Sequence, residues 1–197
     1  MPARKPTTAV KAKTKAAPKV KTAAKPKAVP AKPRVVKAKS PAAPPDAMVG
    51  QQVPDFSLPT VDGTVSSAKL KGKPFVLYFY PKDDTPGCTT EACGFRDALP
   101  AFKKLKSTVI GVSRDGVQSH AKFAAKFSLP FQLASDGEGK VLAAFGVWVE
   151  KSMYGRKYMG IDRATFLVDA SGTIRAVWRK VSVTGHVEEV QAALAAL

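Results

Sequence analysis

Phe75-Val76-Leu77-Tyr78-Phe79-Tyr80-Pro81-Lys82-Asp83-Asp84-Thr85-Pro86-Gly87-Cys88-Thr89-Thr90-Glu91-Ala92-Cys93 is the stretch around which the other segments arrange themselves. Its first part is an unbroken apolar run that does not alternate with polar residues. Such a run, bounded by Lys71-Gly72-Lys73 before it and polar residues after it, predicts a strand over 74–80 buried on both faces. The middle is a polar turn, and the last part opens a helix at Pro86-Gly87-Cys88. Proline suits a first helical turn because its missing N–H is not needed there, and glycine lets the chain bend sharply. The only two cysteines of the protein lie here, five positions apart.

Working outward, Phe95, Ala98, Leu99, Phe102 and Leu105 fall at helical spacing and extend the helix over 87–106, with strain or a kink expected near Pro100. A second buried strand is expected over 107–113, a helix over 117–127, a short strand over 131–134, a turn at 136–139 and a short helix over 140–145. Further on, 164–168 and 173–178 flank Asp169-Ala170-Ser171-Gly172 as strand, turn and strand. Thr184 is expected to start the last helix, with Glu188 near the favourable end of its dipole. Before the central stretch, Pro54 marks an edge segment and Asp62-Gly63 a hairpin turn. Early strand–helix repeats require parallel pairing and the late hairpin adds antiparallel strands. The expected fold is α/β and thioredoxin-like: a mixed central sheet flanked by helices.

Charge divides the chain in two. The protein has 197 residues and a formal charge of +17. Of its 32 Lys/Arg and 15 acids, 13 and one fall in residues 1–49, giving +12 there; the remaining 19 and 14 leave +5 for residues 50–197. The first segment is Lys, Ala, Pro and Val without an aromatic residue or a sustained period. It cannot bury enough apolar surface to offset the entropy of ordering, so residues 1–47 are expected to form a disordered basic tail and linker, and 48–197 the folded domain. Spaced cations of this kind bind phosphates non-specifically by releasing counterions, or simply keep a tail solvated; both readings stay open. No apolar run is long enough to span a membrane, and a secretory signal is not expected. A soluble protein of the cytoplasm is the simplest expectation, near the nucleoid if the tail binds nucleic acid, or in the nucleus of a eukaryote.

Two close cysteines in a chain of this length point to redox chemistry rather than a disulfide scaffold. C-x4-C is neither the usual zinc spacing nor a C-x-x-C dithiol. A cysteine in the first turn of a helix faces unpaired N–H groups and the positive end of the dipole, and both favour the thiolate, which is the nucleophile. Thr85 is near enough in sequence to reach the sulfur or a bound oxygen. In an intact helix, residues five apart have Cα atoms about 8.5–9 Å apart, whereas a disulfide needs roughly 7 Å or less. Pairing of Cys88 with Cys93 would therefore require local unwinding. His120 and His186 are expected in surface or capping roles.

These residues resemble the peroxiredoxins, specifically the peroxiredoxin Q / bacterioferritin comigratory protein group. The family pattern Pro-x3-Thr/Ser-x2-Cys is matched by Pro81, Thr85 and Cys88. The flanks Tyr78-Phe79-Tyr80-Pro81-Lys82-Asp83 and Cys93-Gly94-Phe95-Arg96-Asp97 are similar to that group, as are the segments at 146–155 and 160–169. The resemblance runs from about residue 48 onward. It implies a peroxidase reducing hydrogen peroxide and organic hydroperoxides, with Cys88 as the attacking cysteine and Cys93 as the resolving one, forming an intramolecular disulfide. Thioredoxin or a similar dithiol would be the reductant. Thr85 would hydrogen-bond the peroxide, Arg163 would hold thiolate and peroxide oxygens, and Pro81 would shield the sulfur. No cofactor or metal is implied, and a monomer is expected. The absence of a Gly-Gly-Leu-Gly motif implies resistance to over-oxidation. Two rival readings are a nucleic-acid-associated protein whose folded body is only a module, and a general thiol-disulfide reductase.

Overall fold

The structure is a computed structural model that describes residues 46–153 and 155–197. The tail expected over 1–47 falls outside these except for Asp46 and Ala47, which begin a turn packed on the body: Asp46 accepts from Arg179 Nε at 2.5 Å. Fourteen elements follow, named in chain order. They are β1 (Ser57–Thr60), β2 (Gly63–Ser66), α1 (Ser67–Leu70), β3 (Phe75–Phe79), α2 (Pro86–Lys104), β4 (Thr108–Ser113), α3 (Val117–Phe127), β5 (Gln132–Ser135), α4 (Lys140–Ala144), β6 (Trp148–Met153), β7 (Arg156–Ile161), β8 (Ala164–Val168), β9 (Ile174–Arg179) and α5 (His186–Ala195).

Seven strands form one mixed sheet in the order β2-β1-β5-β4-β3-β8-β9. The central strand β3 runs parallel to β4 and antiparallel to β8, so Phe79 has Val112 on one side and Ala164 on the other. Its side chains alternate between two cores. Phe75, Leu77 and Phe79 join Ile110, Val112, Phe166, Leu142 of α4 and Phe145 on one face. Val76, Tyr78 and Tyr80 join Phe95, Leu99 and Phe102 of α2, Phe123 of α3 and Val190 and Leu194 of α5 on the other. That two-sided burial is why the run 75–79 shows no apolar–polar alternation. The layout is the expected thioredoxin-like one, with α2, α3 and α5 on one face and α4 on the other.

Gly111 of β4 exists because Tyr78 lies over it: a Cβ there would sit 2.7 Å from the Tyr78 ring and hydroxyl and 2.8 Å from Leu133. A similar approach joins α2 to α5, where a Cβ on Gly94 would lie 3.1 Å from Val187.

Several local expectations shift. The first hairpin pairs Thr60 with Gly63, so its turn is Val61-Asp62 and not Asp62-Gly63. Helix α2 runs through Pro100 and ends at Lys104. The last helix begins at His186 with Gly185 as N-cap in the left-handed region at φ 78, rather than at Thr184. The β6–β7 hairpin, paired from Trp148–Ile161 to Met153–Arg156, is an addition that no sequence signal announced. His120 and His186, expected in surface or capping roles, are both buried, and each finds a polar partner inside. No helix among the described residues is long and apolar enough to cross a membrane.

Candidate active site

Helix α2 starts immediately beyond the carboxyl end of β3. Thr85 is its N-cap, in extended conformation, and its carbonyl accepts the Thr89 N–H at 2.8 Å. Pro86 occupies the first helical position, which places Cys88 in the first turn, a residue only 2 % exposed. The open N–H groups of that turn and the helix dipole are therefore directed at the cysteine end of the helix.

The cation comes from elsewhere in the chain. Arg163 lies between β7 and β8, directly before Ala164, the residue paired with Phe79. Antiparallel pairing of β8 with β3 brings the start of β8 to the end of β3, and so brings residue 163 beside the α2 N-terminus. Its backbone is pinned, since its carbonyl accepts the Val181 N–H at 3.1 Å and the preceding Asp162 N–H donates to Val147 at 2.8 Å. The Arg163 Nη2 donates to Cys88 Sγ at 3.3 Å, across 75 residues of sequence. The other arm of its fork, Nη1, donates to Glu91 Oε2. One turn along α2 from Cys88, Glu91 shares the same helical face.

Glu91 is fully buried, and its Oε1 has no hydrogen-bond partner among the described residues. Burial raises its carboxyl to about 7, against the pull of Arg163 in the other direction. For Arg163, burial opposes the charge, but Glu91 and Cys88 outweigh it and the guanidinium titrates above its ordinary value. The result is a planar donor held by one buried carboxyl group and aimed at the sulfur.

Of the residues singled out from sequence, Cys88 and Arg163 meet. Cys93 is half-buried on the same uninterrupted helix, and both cysteines are free thiols. The Thr85 hydroxyl donates to the Lys82 carbonyl at 3.1 Å, which ties the turn to its own cap rather than to the sulfur. Pro81 is exposed and lines a hollow of ≈ 260 Å³ together with Trp148, Tyr158 and Met159. Two acids were missed by sequence reasoning. Glu91 carried a weak signal, its position three residues after Cys88. Asp83 carried none beyond its place in the turn, yet it is buried among hydrogen-bonding partners.

Comparison with known proteins agrees with this geometry. The AhpC/TSA family model matches residues 49–177. The chain is 51% identical over 142 residues to peroxiredoxin Bcp of Bacillus subtilis, covering 72% of this chain and 90% of the relative. It is 44% identical over 138 residues to peroxiredoxin Bcp of Escherichia coli, with 70% and 88% covered. Among solved structures, Xanthomonas campestris peroxiredoxin Q superposes with a TM-score of 0.69 at 46% identity, covering 72% of this chain and 90% of that one. Another structure of the bacterioferritin comigratory protein from that organism, described in terms of alkyl peroxide reduction and a trapped intermediate, has the same TM-score at 45% identity.

Proposed function

Because the chain belongs to the AhpC/TSA family and, as a member of its Bcp/peroxiredoxin Q group, is a thiol-dependent peroxidase, we propose that Cys88 is the peroxide-attacking residue and Cys93 its resolving partner. The observation that carries the assignment is the Arg163 guanidinium on Cys88 Sγ at the α2 N-terminus. The sulfur attacks the terminal oxygen of a hydroperoxide; the S–O bond forms as the O–O bond breaks. The departing oxygen takes up a proton and leaves as water or an alcohol, and Cys88 is left as a sulfenic acid. The same Arg163 donors that face the sulfur stabilise charge as it moves onto the peroxide oxygens. The Thr85 hydroxyl, released from Lys82, supplies a further donor, and Pro81 screens the turn from water. Cys93 then attacks the sulfenic sulfur, forming the disulfide and releasing water. A dithiol donor of the thioredoxin type reduces the disulfide by exchange.

A thioredoxin-coupled peroxidase assay tests the roles. Cys88→Ser abolishes peroxide consumption, and Cys93→Ser keeps one rapid turnover but fails to recycle. Undiminished turnover in Cys88→Ser overturns the assignment.

The basic segment supports a second role, non-specific binding of nucleic acid, which would keep the peroxidase in the cytoplasm close to the nucleoid. Its 13 Lys/Arg precede the first acid of the chain, Asp46. A segment neutralising about six to ten phosphates loses roughly 10³–10⁵ in affinity between 50 and 200 mM salt. Deleting residues 1–45, which spares the Asp46–Arg179 pair, abolishes salt-sensitive DNA retention and leaves peroxidase rates unchanged. Equal DNA affinity after the deletion refutes this role.

A further inference from the structure

The turn that carries the reactive cysteine is held from below by a buried polar cluster that the chemistry above does not use. Asp83 is 7 % exposed although it sits in a loop between β3 and α2. Its carboxylate accepts from the Tyr80 hydroxyl at 2.7 Å and the Ser119 hydroxyl at 2.7 Å. His120 Nδ1 approaches both of its oxygens, at 3.1 and 2.9 Å. Its own backbone N–H donates to Asp115 Oδ2 at 2.8 Å, and that oxygen is in turn held by the Ser113 hydroxyl at 2.8 Å. Main chain and side chain of this one residue are thus both fastened to the end of β4 and the start of α3.

The partners leave little freedom. An ionised carboxylate only accepts, so Nδ1 of His120 must carry the proton that it shares with Asp83. His120 is fully buried and its Nε2 has no partner among the described residues; beside Asp83, its Nδ1 lies 3.4 Å from the Tyr80 hydroxyl, which itself donates to Asp83. Burial alone would raise the Asp83 carboxyl, but the donors from His120, Tyr80 and Ser119 outweigh it and hold it below the usual range. The next residue, Asp84, adopts the left-handed region at φ 54, an unfavourable conformation for a side chain with a Cβ. Its ion pair with Lys126 is solvent-exposed and adds little. The unusual backbone path into the N-cap Thr85 therefore depends on the buried anchor at Asp83.

We propose that the Asp83–His120–Tyr80–Ser119 cluster is the positioning device for the Pro81–Cys88 turn, with His120 as its central positioning residue. It fixes the place of Pro81, Thr85 and the first turn of α2 relative to Arg163, which arrives independently from β8. Reaction with a peroxide needs the sulfur, the helix N–H groups and the Arg163 fork aligned together, and an error near 1 Å costs about a hundredfold in rate. Alkylation of the sulfur by a small electrophile has no such requirement.

The proposal rests on Cys88 being the attacking residue, and the test separates the two. Stopped-flow oxidation of the reduced full-length protein by hydrogen peroxide is compared with its alkylation by iodoacetamide. His120→Leu slows the peroxide reaction by at least about tenfold more than it slows alkylation. His120→Asn, whose side-chain amide reproduces the Nδ1 donor, restores the ratio. Ser119→Ala removes one half-buried hydroxyl with little risk to folding and gives an intermediate ratio. Equal ratios in native, His120→Leu and Ser119→Ala proteins overturn the positioning role, as does failure of His120→Asn to restore it. Peroxide reactivity surviving in Cys88→Ser overturns the underlying assignment instead.

Discussion

Arg163 makes two contacts at once, with Cys88 Sγ and with Glu91, and each restrains the other. Its planar fork can serve two acceptors in fixed directions, whereas an ammonium group is a single point on a flexible stem. Arg163→Lys keeps the charge but gives up one of the two contacts. It is expected to lower the rate of Cys88 oxidation by hydrogen peroxide by about 10²-fold, the scale seen when one donor to a developing negative charge is lost. Stopped-flow kinetics would check it, and a change under threefold would mean that charge alone suffices. At this scale Cys88 was legible from its place in the first turn of a helix, and Arg163 only through the resemblance to the peroxiredoxins, since an arginine before a strand carries no signal of its own. Glu91 and Asp83 were not. An acid in a helix or a turn reads as solvated, and only the fold shows that both are enclosed, Asp83 among several donors and Glu91 against Arg163.

The proposed pairing of Cys88 with Cys93 would require helix α2 to do two incompatible things. Its first turn has to be intact to present N–H groups to Cys88, yet a continuous helix keeps residues five apart at about 8.5–9 Å between Cα atoms, beyond the roughly 7 Å limit of a disulfide. The far half of the helix is fastened by Phe95, Leu99 and Phe102, all buried, and by the close approach of Gly94 to Val187. The near half has only Cys88, Glu91 and Ala92 inside. Oxidation should therefore melt the helix from Pro86 to about Cys93 and leave the rest in place. Hydrogen exchange would show faster amides at Thr89–Cys93 in the disulfide form, with 95–104 unchanged; equal protection in both forms would rule this out. The sequence pattern gave α2 its extent within two residues because its apolar positions follow a 3.6 period. It was silent on β6 and β7 for the converse reason. Arg156, Lys157, Tyr158 and Met159 of β7 are all exposed, so no alternation marks the strand.

For the whole molecule, buried titratable groups pull in opposite directions with pH. Burial lowers His186, enclosed by Thr165, Phe95 and Trp178, to about 4. The unfolded chain then binds a proton between about pH 6.5 and 4 that the folded one refuses, so this group contributes stability above that window and loses it as pH falls through it. Glu91, raised by burial to about 7, does the reverse: the folded chain holds its proton up to higher pH, and stability falls as pH rises from about 4.5 to about 7. Each effect is on the order of a few kcal/mol, and across this range they largely offset each other. Below about pH 4 neither opposes the third group. Burial would raise Asp169, but Ser171, Thr173 and Arg175 all donate to it and hold it at about 2. A group lowered in the folded state loses its contribution as pH falls from about 4 to 2. Thermal unfolding of the native protein should accordingly vary little between pH 5 and 7 and drop steeply below 4. His186→Asn removes one side of the balance, so its stability should fall as pH rises from 5 to 7. A His186→Asn profile parallel to the native one would show that the two buried groups do not oppose each other in this fold.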